Sequence, residues 1–239
     1  MIKRLKAFTL SEVLIALGTI GVVATLILPQ LVTGHKAATA KAQFSTAYAL
    51  LTKSFADMDI DNNTLGLNAL QNPVAVYERL KEYNRVTIDC GTGANPANTS
   101  VCPIQSDRKT LNRTDLADGI VGSFVINNGM AISVGMPLFQ LPNTNIRSPL
   151  IYIDLNGKNK RPNRLGYDIF AFQITATGEI APAGAPNTTH QDNANNIDLC
   201  CIQSVNNGCR PRNAGINGIT CALFASTDEE YFNKVYRGF

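Results

Sequence analysis

From Phe8 to Val32 the chain reads FTLSEVLIALGTIGVVATLILPQLV, and only Ser11, Glu12, Pro29 and Gln30 interrupt an otherwise apolar or small-residue run. That length is enough to cross a bilayer core of roughly 30 Å, so the segment is expected to span a membrane. Lys3, Arg4 and Lys6 precede it. A cationic flank stays cytoplasmic, which puts the chain after Val32 on the far side. A secretory signal peptide is the competing reading, but it has a shorter apolar region that ends at a small-residue cleavage site. Here Ala37, Ala38 and Ala40 follow only after Thr33, Gly34, His35 and Lys36.

Glu12 is the one carboxylate in this run. Placing such a group at the bilayer centre costs about 2.5 to 3.5 kcal/mol on insertion scales, so it either snorkels to the interface or meets a cation from another subunit.

At these positions KAFTLSEVLIAL resembles the type IV pilin and type II secretion pseudopilin superfamily, whose precursors carry a basic leader, a small residue at the cut, Phe, and a TLxE-like core. The family usually has Gly where this chain has Ala7, and often an aliphatic residue in place of Ser11. The resemblance implies cleavage by a prepilin peptidase between Ala7 and Phe8, methylation of the new Phe8 amine, and an assembly role for Glu12. It also places Pro29 where the family has a helix-bending proline. Cleavage would remove the leader's cations and leave an amine at Phe8 about one helical turn from Glu12. In apolar surroundings each of these charges needs a counter-charge. A neighbour's Phe8 amine would neutralise Glu12 as staggered helices pack into an open-ended helical assembly. Gly18, Gly21, Ala16 and Ala24 would allow close helix approach, although membrane helices are rich in such residues anyway.

Pro29 removes a backbone donor, and a local kink or melt is expected there. Ala40, Phe44, Ala47, Tyr48, Leu51, Phe55 and Met58 then recur at three- and four-residue steps, the pattern of a helix with one apolar face. The polar stretch after Asp57 ends the helix. The resulting division is a leader over 1–7, a membrane and filament-core helix over 8–32, an amphipathic half over 33–59 and a globular head over 60–239.

In the head, Val74 to Tyr83 predicts a short helix with Val74, Tyr77 and Leu80 on one side. Around Asn127, Asn128 and Gly129, an Asn-Gly pair between apolar runs predicts a hairpin. LIYIDLNG and GYDIFAFQITATGEIAP predict further strands, the latter turning near Thr177 and Gly178. The expected fold is α+β: a long helix laid on a small antiparallel sheet, with a loop-rich C-terminal region. A C-terminal helix is read from ALFASTDEEYFNKVY, with Asp228, Glu229 and Glu230 as a solvated helix start.

Six cysteines, Cys90, Cys102, Cys200, Cys201, Cys209 and Cys221, all fall beyond the membrane segment, where an oxidising compartment favours disulfides. Fifteen pairings are open. Cys90 with Cys102 is the expected local loop, leaving the last four to pin the C-terminal region. Zinc lacks its usual spacing, since there is no Cys-x-x-Cys and the histidines are His35 and His190. Asp154, Asn156 and Asp168 flank a Gly- and Asn-containing loop and supply the oxygen chemistry of calcium. The loop is also similar to the calcium-holding region of some major pseudopilins, though Lys158, Lys160, Arg161 and Arg164 crowd it.

Those residues with Arg108, Lys109, Arg113, Arg210 and Arg212 raise the question of an acidic partner or nucleic acid, but a net charge of only +3 argues against nucleic acid. No G-x-S-x-G, P-loop or metal-binding helix motif is present, so no enzymatic reading emerges. The resemblance implies a filament subunit of a type II secretion pseudopilus or, next, a type IV pilus. Its partners would be other copies, related pilins, the prepilin peptidase and an inner-membrane assembly platform. It would sit single-pass in a bacterial cytoplasmic membrane with its head in the periplasm or on the filament. The alternative is a membrane-anchored adhesin or DNA-binding minor pilin.

Overall fold

A computed structural model describes residues 9–62, 71–93, 100–116, 119–136, 140–189, 208–209 and 218–237, with the side chains of 59–62 not described. A 53-residue helix, α1 (Leu10–Asn62), comes first. It passes through Pro29 without interruption, so the expected melt is absent; Pro29 costs the helix one backbone donor and leaves the flanking turns helical. From Ala37 onward one face is buried, through Ala40, Phe44, Ala47, Leu51, Phe55 and Met58. This is the three- and four-residue repeat read from the sequence.

That face lies on a six-stranded antiparallel sheet of order β1-β2-β3-β4-β5-β6. Its strands are β1 (Val86–Thr92), β2 (Ile120–Ile126), β3 (Ala131–Gly135), β4 (Leu150–Asp154), β5 (Ile169–Ile174) and β6 (Ile180–Pro182). Strands β2 and β3 form the expected hairpin, with Gly129 at φ +85°, where a side chain would be strained. Phe44 meets Phe170 edge-on at 4.8 Å between ring centroids and stacks near Phe172 at 5.9 Å. Such aromatic pairs add to what area burial alone provides.

Helix α2 (Pro73–Glu82) starts at Asn72, whose side chain accepts hydrogen bonds from the Val74 and Ala75 amides. It buries Val76, Tyr77 and Leu80, while Val74, expected on the packed side, is 42 % exposed. Tyr77 crosses so close to β2 that a Cβ at Gly122 would come within 2.7 Å of its ring, so glycine is required there.

The single C-terminal helix read from the sequence is two: α3 (Cys221–Thr227) and α4 (Tyr231–Arg237). Asp228 divides them. It closes α3 in an extended conformation, then accepts from the Glu230 amide at 2.9 Å and pairs with Lys234 at 2.6 Å. Phe232 of α4 packs 5.9 Å from Phe44 and 5.8 Å from Phe170, so α4 seals the side of α1.

The sheet's second face is covered as well. Leu116, Leu150, Tyr152, Leu165, Ile169, Ala171, Ala183 and Ile219 form a separate buried cluster. This explains why β4 and β5 are buried at every position rather than alternately, while on β3 Ala131 packs in a third cluster with Cys90, Cys102 and Val125. Cys90 is bonded to Cys102, and Cys209 to Cys221. The molecule is therefore an α+β protein with a long N-terminal apolar helix, a six-stranded antiparallel sheet and two disulfides between described residues.

Candidate functional site

Two places carry the residues singled out by sequence: the tip of α1 and the loop joining β4 to β5. Along the first half of α1 the large apolar side chains are bare, from Val13 at 44 % exposed to Leu10 at 80 %, and including Leu14, Leu17, Leu26 and Leu31. The described residues contain one helix long and apolar enough to cross a membrane, and it is this one. At Gly18 and Gly21 an added Cβ would meet nothing within 4 Å, so neither glycine is needed for a contact inside this chain.

Glu12 already has a local partner. Its Oε2 accepts the Thr9 amide at 2.8 Å and the Thr9 hydroxyl at 2.9 Å, while Thr9 Oγ1 accepts the Glu12 amide at 3.3 Å. Thr9 and Glu12 thus form a reciprocal capping box. The Ser/Thr-x-x-Glu spacing before an apolar run was the available signal for it, and reading Glu12 only as an isolated charge missed it. Ala7 and Phe8 lie outside the described residues, as do Cys200 and Cys201.

In the β4–β5 loop, Asp154 ends β4 and its Oδ1 accepts the amides of Asn156 (3.2 Å) and Gly157 (2.9 Å). Asp168 stands just before β5; its Oδ2 accepts the Asn163 amide at 2.9 Å and its Oδ1 the Arg164 amide at 2.6 Å. Both aspartates are buried, at 5 % and 1 % exposure. Burial, and then the charge of Asp168, push the Asp154 carboxyl up to about 7 against the pull of the Asn156 and Gly157 amides. Burial also pushes Asp168 up to about 6, although the Arg164 and Asn163 amides and the Asn156 side chain favour its charged form. The loop brings all three sequence-predicted oxygen-bearing residues together, since Asn156 bonds Asp168 and takes its own amide bond to Asp154.

Two of the loop's basic residues stay near these carboxylates, since Lys158 lines a small cavity with Asp154 and the charge of Asp168 acts on Arg164. Lys158 pairs with Asp107 at 2.8 Å, Lys160 and Arg161 are exposed, and the Arg164 guanidinium lies 3.6 Å from the centroid of the Tyr167 ring. Arg108, counted in the sequence as part of a basic surface, is only 2 % exposed and sits over Tyr152, while Lys109 pairs with Asp115. Among the described residues, Arg108, Lys109, Lys158 and Arg164 are therefore each engaged within the head instead of forming one open basic face; Arg210 and Arg212 lie outside the described residues.

The fit of this loop to a hard cation rests on its chemistry: two buried carboxylates that repel one another, beside the buried Oδ1 atoms of Asn156 and Asn163, which have no hydrogen-bond partner among the described residues. Among the described residues no three His, Cys, Asp or Glu gather as a metal-binding group, so the amide oxygens are essential to any such site. No family model matches the chain, and neither a curated protein nor a solved structure matches it.

Proposed function

We propose that the chain is a structural subunit of a type II secretion pseudopilus or type IV pilus-like filament, held in the cytoplasmic membrane before assembly, with the secretion pseudopilus preferred. One observation carries the reading: a single unbroken helix is bare and apolar over its first half and buried against a head over its second. The bare half needs cover that the chain itself does not supply, and lipid followed by the helices of neighbouring copies provides it. The KAFTLSEVLIAL resemblance supplies the processing step: prepilin peptidase cuts after Ala7, and the Phe8 amine of one copy neutralises Glu12 of the next. Lys3, Arg4 and Lys6 orient the helix with the head outside, a side that agrees with disulfides. Pro29 lies in the span without breaking it. In the head, calcium held by Asp154, Asn156 and Asp168 would supply the positive charge that the two buried carboxylates lack.

The capping box makes the decisive experiment sharper than removal of Glu12 alone. Gln at position 12 keeps a capping side chain and loses the charge; Ala loses both. In the native host, both Glu12→Gln and Glu12→Ala are expected to insert in the membrane and fail to enter filaments. Normal assembly of Glu12→Gln would reduce Glu12 to a cap and end the charge-pairing mechanism. Deletion of the gene separates the two systems: loss of folded exoprotein release marks a pseudopilus, and loss of surface fibres or twitching marks a pilus.

A further inference from the structure

We infer that Arg113 and Arg164 form a docking site for a carboxylate carried on an acidic segment of another protein. The backbone brings the two arginines together. The Lys109 amide donates to the Asn163 carbonyl and the Leu165 amide to the Lys109 carbonyl, each at 2.9 Å. The turn that follows Lys109 is tied by the Thr110 amide on the Thr114 carbonyl at 2.8 Å and by the two threonine hydroxyls, 2.7 Å apart. Buried Leu111 seats this turn against Gly166 and Gly218. Exposed Arg113 therefore stands close enough to Arg164 for their like charges to act on each other. Arg113 is held at φ +72°, a left-handed angle that few residues other than Gly and Asn adopt, so the turn fixes where its side chain starts.

The pair is short of negative charge. Asp115, two residues after Arg113, is taken by Lys109, and Arg113 makes no ion pair among the described residues. The charge of Asp168 acts on Arg164, but both Asp168 oxygens already accept the Asn163 and Arg164 amides. Arg164 is itself buried, and its Nε has no hydrogen-bond partner among the described residues. A buried cation beside a second cation is costly, and an arriving anion offsets both charges. Stacking on the Tyr167 ring, 3.6 Å away, uses the face of the Arg164 guanidinium, whereas arginine binds a carboxylate through the paired donors at its edge. A surface ion pair alone contributes little, so the anion must arrive on a segment whose other contacts add to it. Nucleic acid fits less well. Its attraction comes from neutralising a run of phosphates, and two arginines on a chain of net charge +3 offer no such track.

The test is fluorescence anisotropy of a dye-labelled polyglutamate peptide, titrated with the full chain in nonionic detergent at low salt. Arg113→Asn removes the cation and accepts the backbone angle; Arg164→Lys keeps a charge and loses both the paired donors and the ring stack. Arg147→Gln is the control, an exposed arginine at the opposite end of β4 from Arg164. The expected result is that Arg113→Asn and Arg164→Lys each weaken peptide binding by about tenfold, the scale of one hydrogen bond to a charged group, while Arg147→Gln stays within about twofold of the parent. Unchanged binding by Arg113→Asn overturns the site. So does an equal loss in Arg147→Gln, since net charge alone would then explain it. A parent that binds no peptide, that binds a DNA oligonucleotide more tightly, or that gives the peptide up to inorganic phosphate at matched concentration overturns it as well. Should Arg164→Lys fail to fold, Arg113→Asn decides by itself, its side chain being exposed. The filament reading stands apart from all these outcomes, being decided by the Glu12 variants.

Discussion

The two halves of α1 are one continuous helix under opposite rules. Over Leu10–Val32 the apolar side chains face every direction and none of the large ones is buried. Over Ala37–Met58 the large ones keep to one face, and the outward positions are Ala38, Thr39, Lys41, Ala42, Ser45, Thr46, Ala49, Thr52, Lys53 and Ala56. Backbone hydrogen bonding is the same in both, so it explains neither difference. What separates them is where the cover comes from: the second half is covered by Phe170, Phe172 and Phe232 of its own chain, and the first must find it outside.

Truncation at matched depth is the strongest way to break that contrast. Phe44→Ala empties a site bounded by three aromatic rings and is expected to destabilise the head by about 3 to 5 kcal/mol. Leu17→Ala, on a side chain 62 % exposed, is expected to leave head stability unchanged. Denaturant unfolding of the full chain in detergent, followed through the head's tyrosines, checks both. A comparable loss at Leu17 would mean that the halves unfold as one unit.

This contrast was also the most legible part of the sequence. Apolar composition located the bare half, and the three- and four-residue repeat located the packed one. The Asn127–Gly129 turn and the apolar runs of β4 and β5 were equally readable, because a tight turn and a buried strand each have a local signature. Strand β1 went unread although Val86, Ile88 and Cys90 alternate with exposed Thr87 and Asp89, because the alternation lasts only five residues before Gly91 and Thr92 and belongs to an edge strand. The cover on the sheet's second face escaped for a different reason. Arg108 read as part of a basic surface, and only tertiary packing against Tyr152 buries it, at 2 % exposure. At the loop, Asp154, Asn156 and Asp168 were visible by type and spacing, whereas the orientation of Asn163 depends on a bond to the Lys158 carbonyl that sequence does not display.

The head's response to pH sharpens the comparison by isolating the packed region. Asp154, raised from 3.8 to about 7, holds its proton in the folded state over a range where the unfolded chain has released it. With the folded state binding more protons, stability falls as pH rises from about 4 to about 7, by about 2 kcal/mol in order of magnitude, when chelator keeps calcium away. Asp89 acts with the opposite sign. Burial raises it, but Lys81, Tyr77 and the Gly91 amide outweigh burial and hold it at about 2, so its contribution is present above about 4 and lost as pH falls toward 2. Melting in chelator should therefore be highest in mildly acid solution, and Asp154→Asn should flatten the decline toward neutrality. A decline of unchanged slope in Asp154→Asn would assign it to another group.

The smallest effect compares two helix caps of similar chemistry. Asn72 accepts the Val74 and Ala75 amides at the start of α2, and Thr9 and Glu12 cap α1. Losing either cap costs the helix about 1 kcal/mol. Yet α2 is buried through Val76, Tyr77 and Leu80, so Asn72→Ala is expected to lower the head's unfolding midpoint by that amount. Thr9→Ala frays a turn that no packing couples to the head, so the midpoint should stay fixed while amide exchange quickens at Glu12 and Val13, whose amides bond Thr9 Oγ1 and the Thr9 carbonyl. A shift in head unfolding from Thr9→Ala would mean that the tip of the bare half, where Thr9 lies 35 residues before Phe44, is energetically coupled to the sheet through the helix backbone alone. The uninterrupted turns across Pro29 make that the one path by which it could happen.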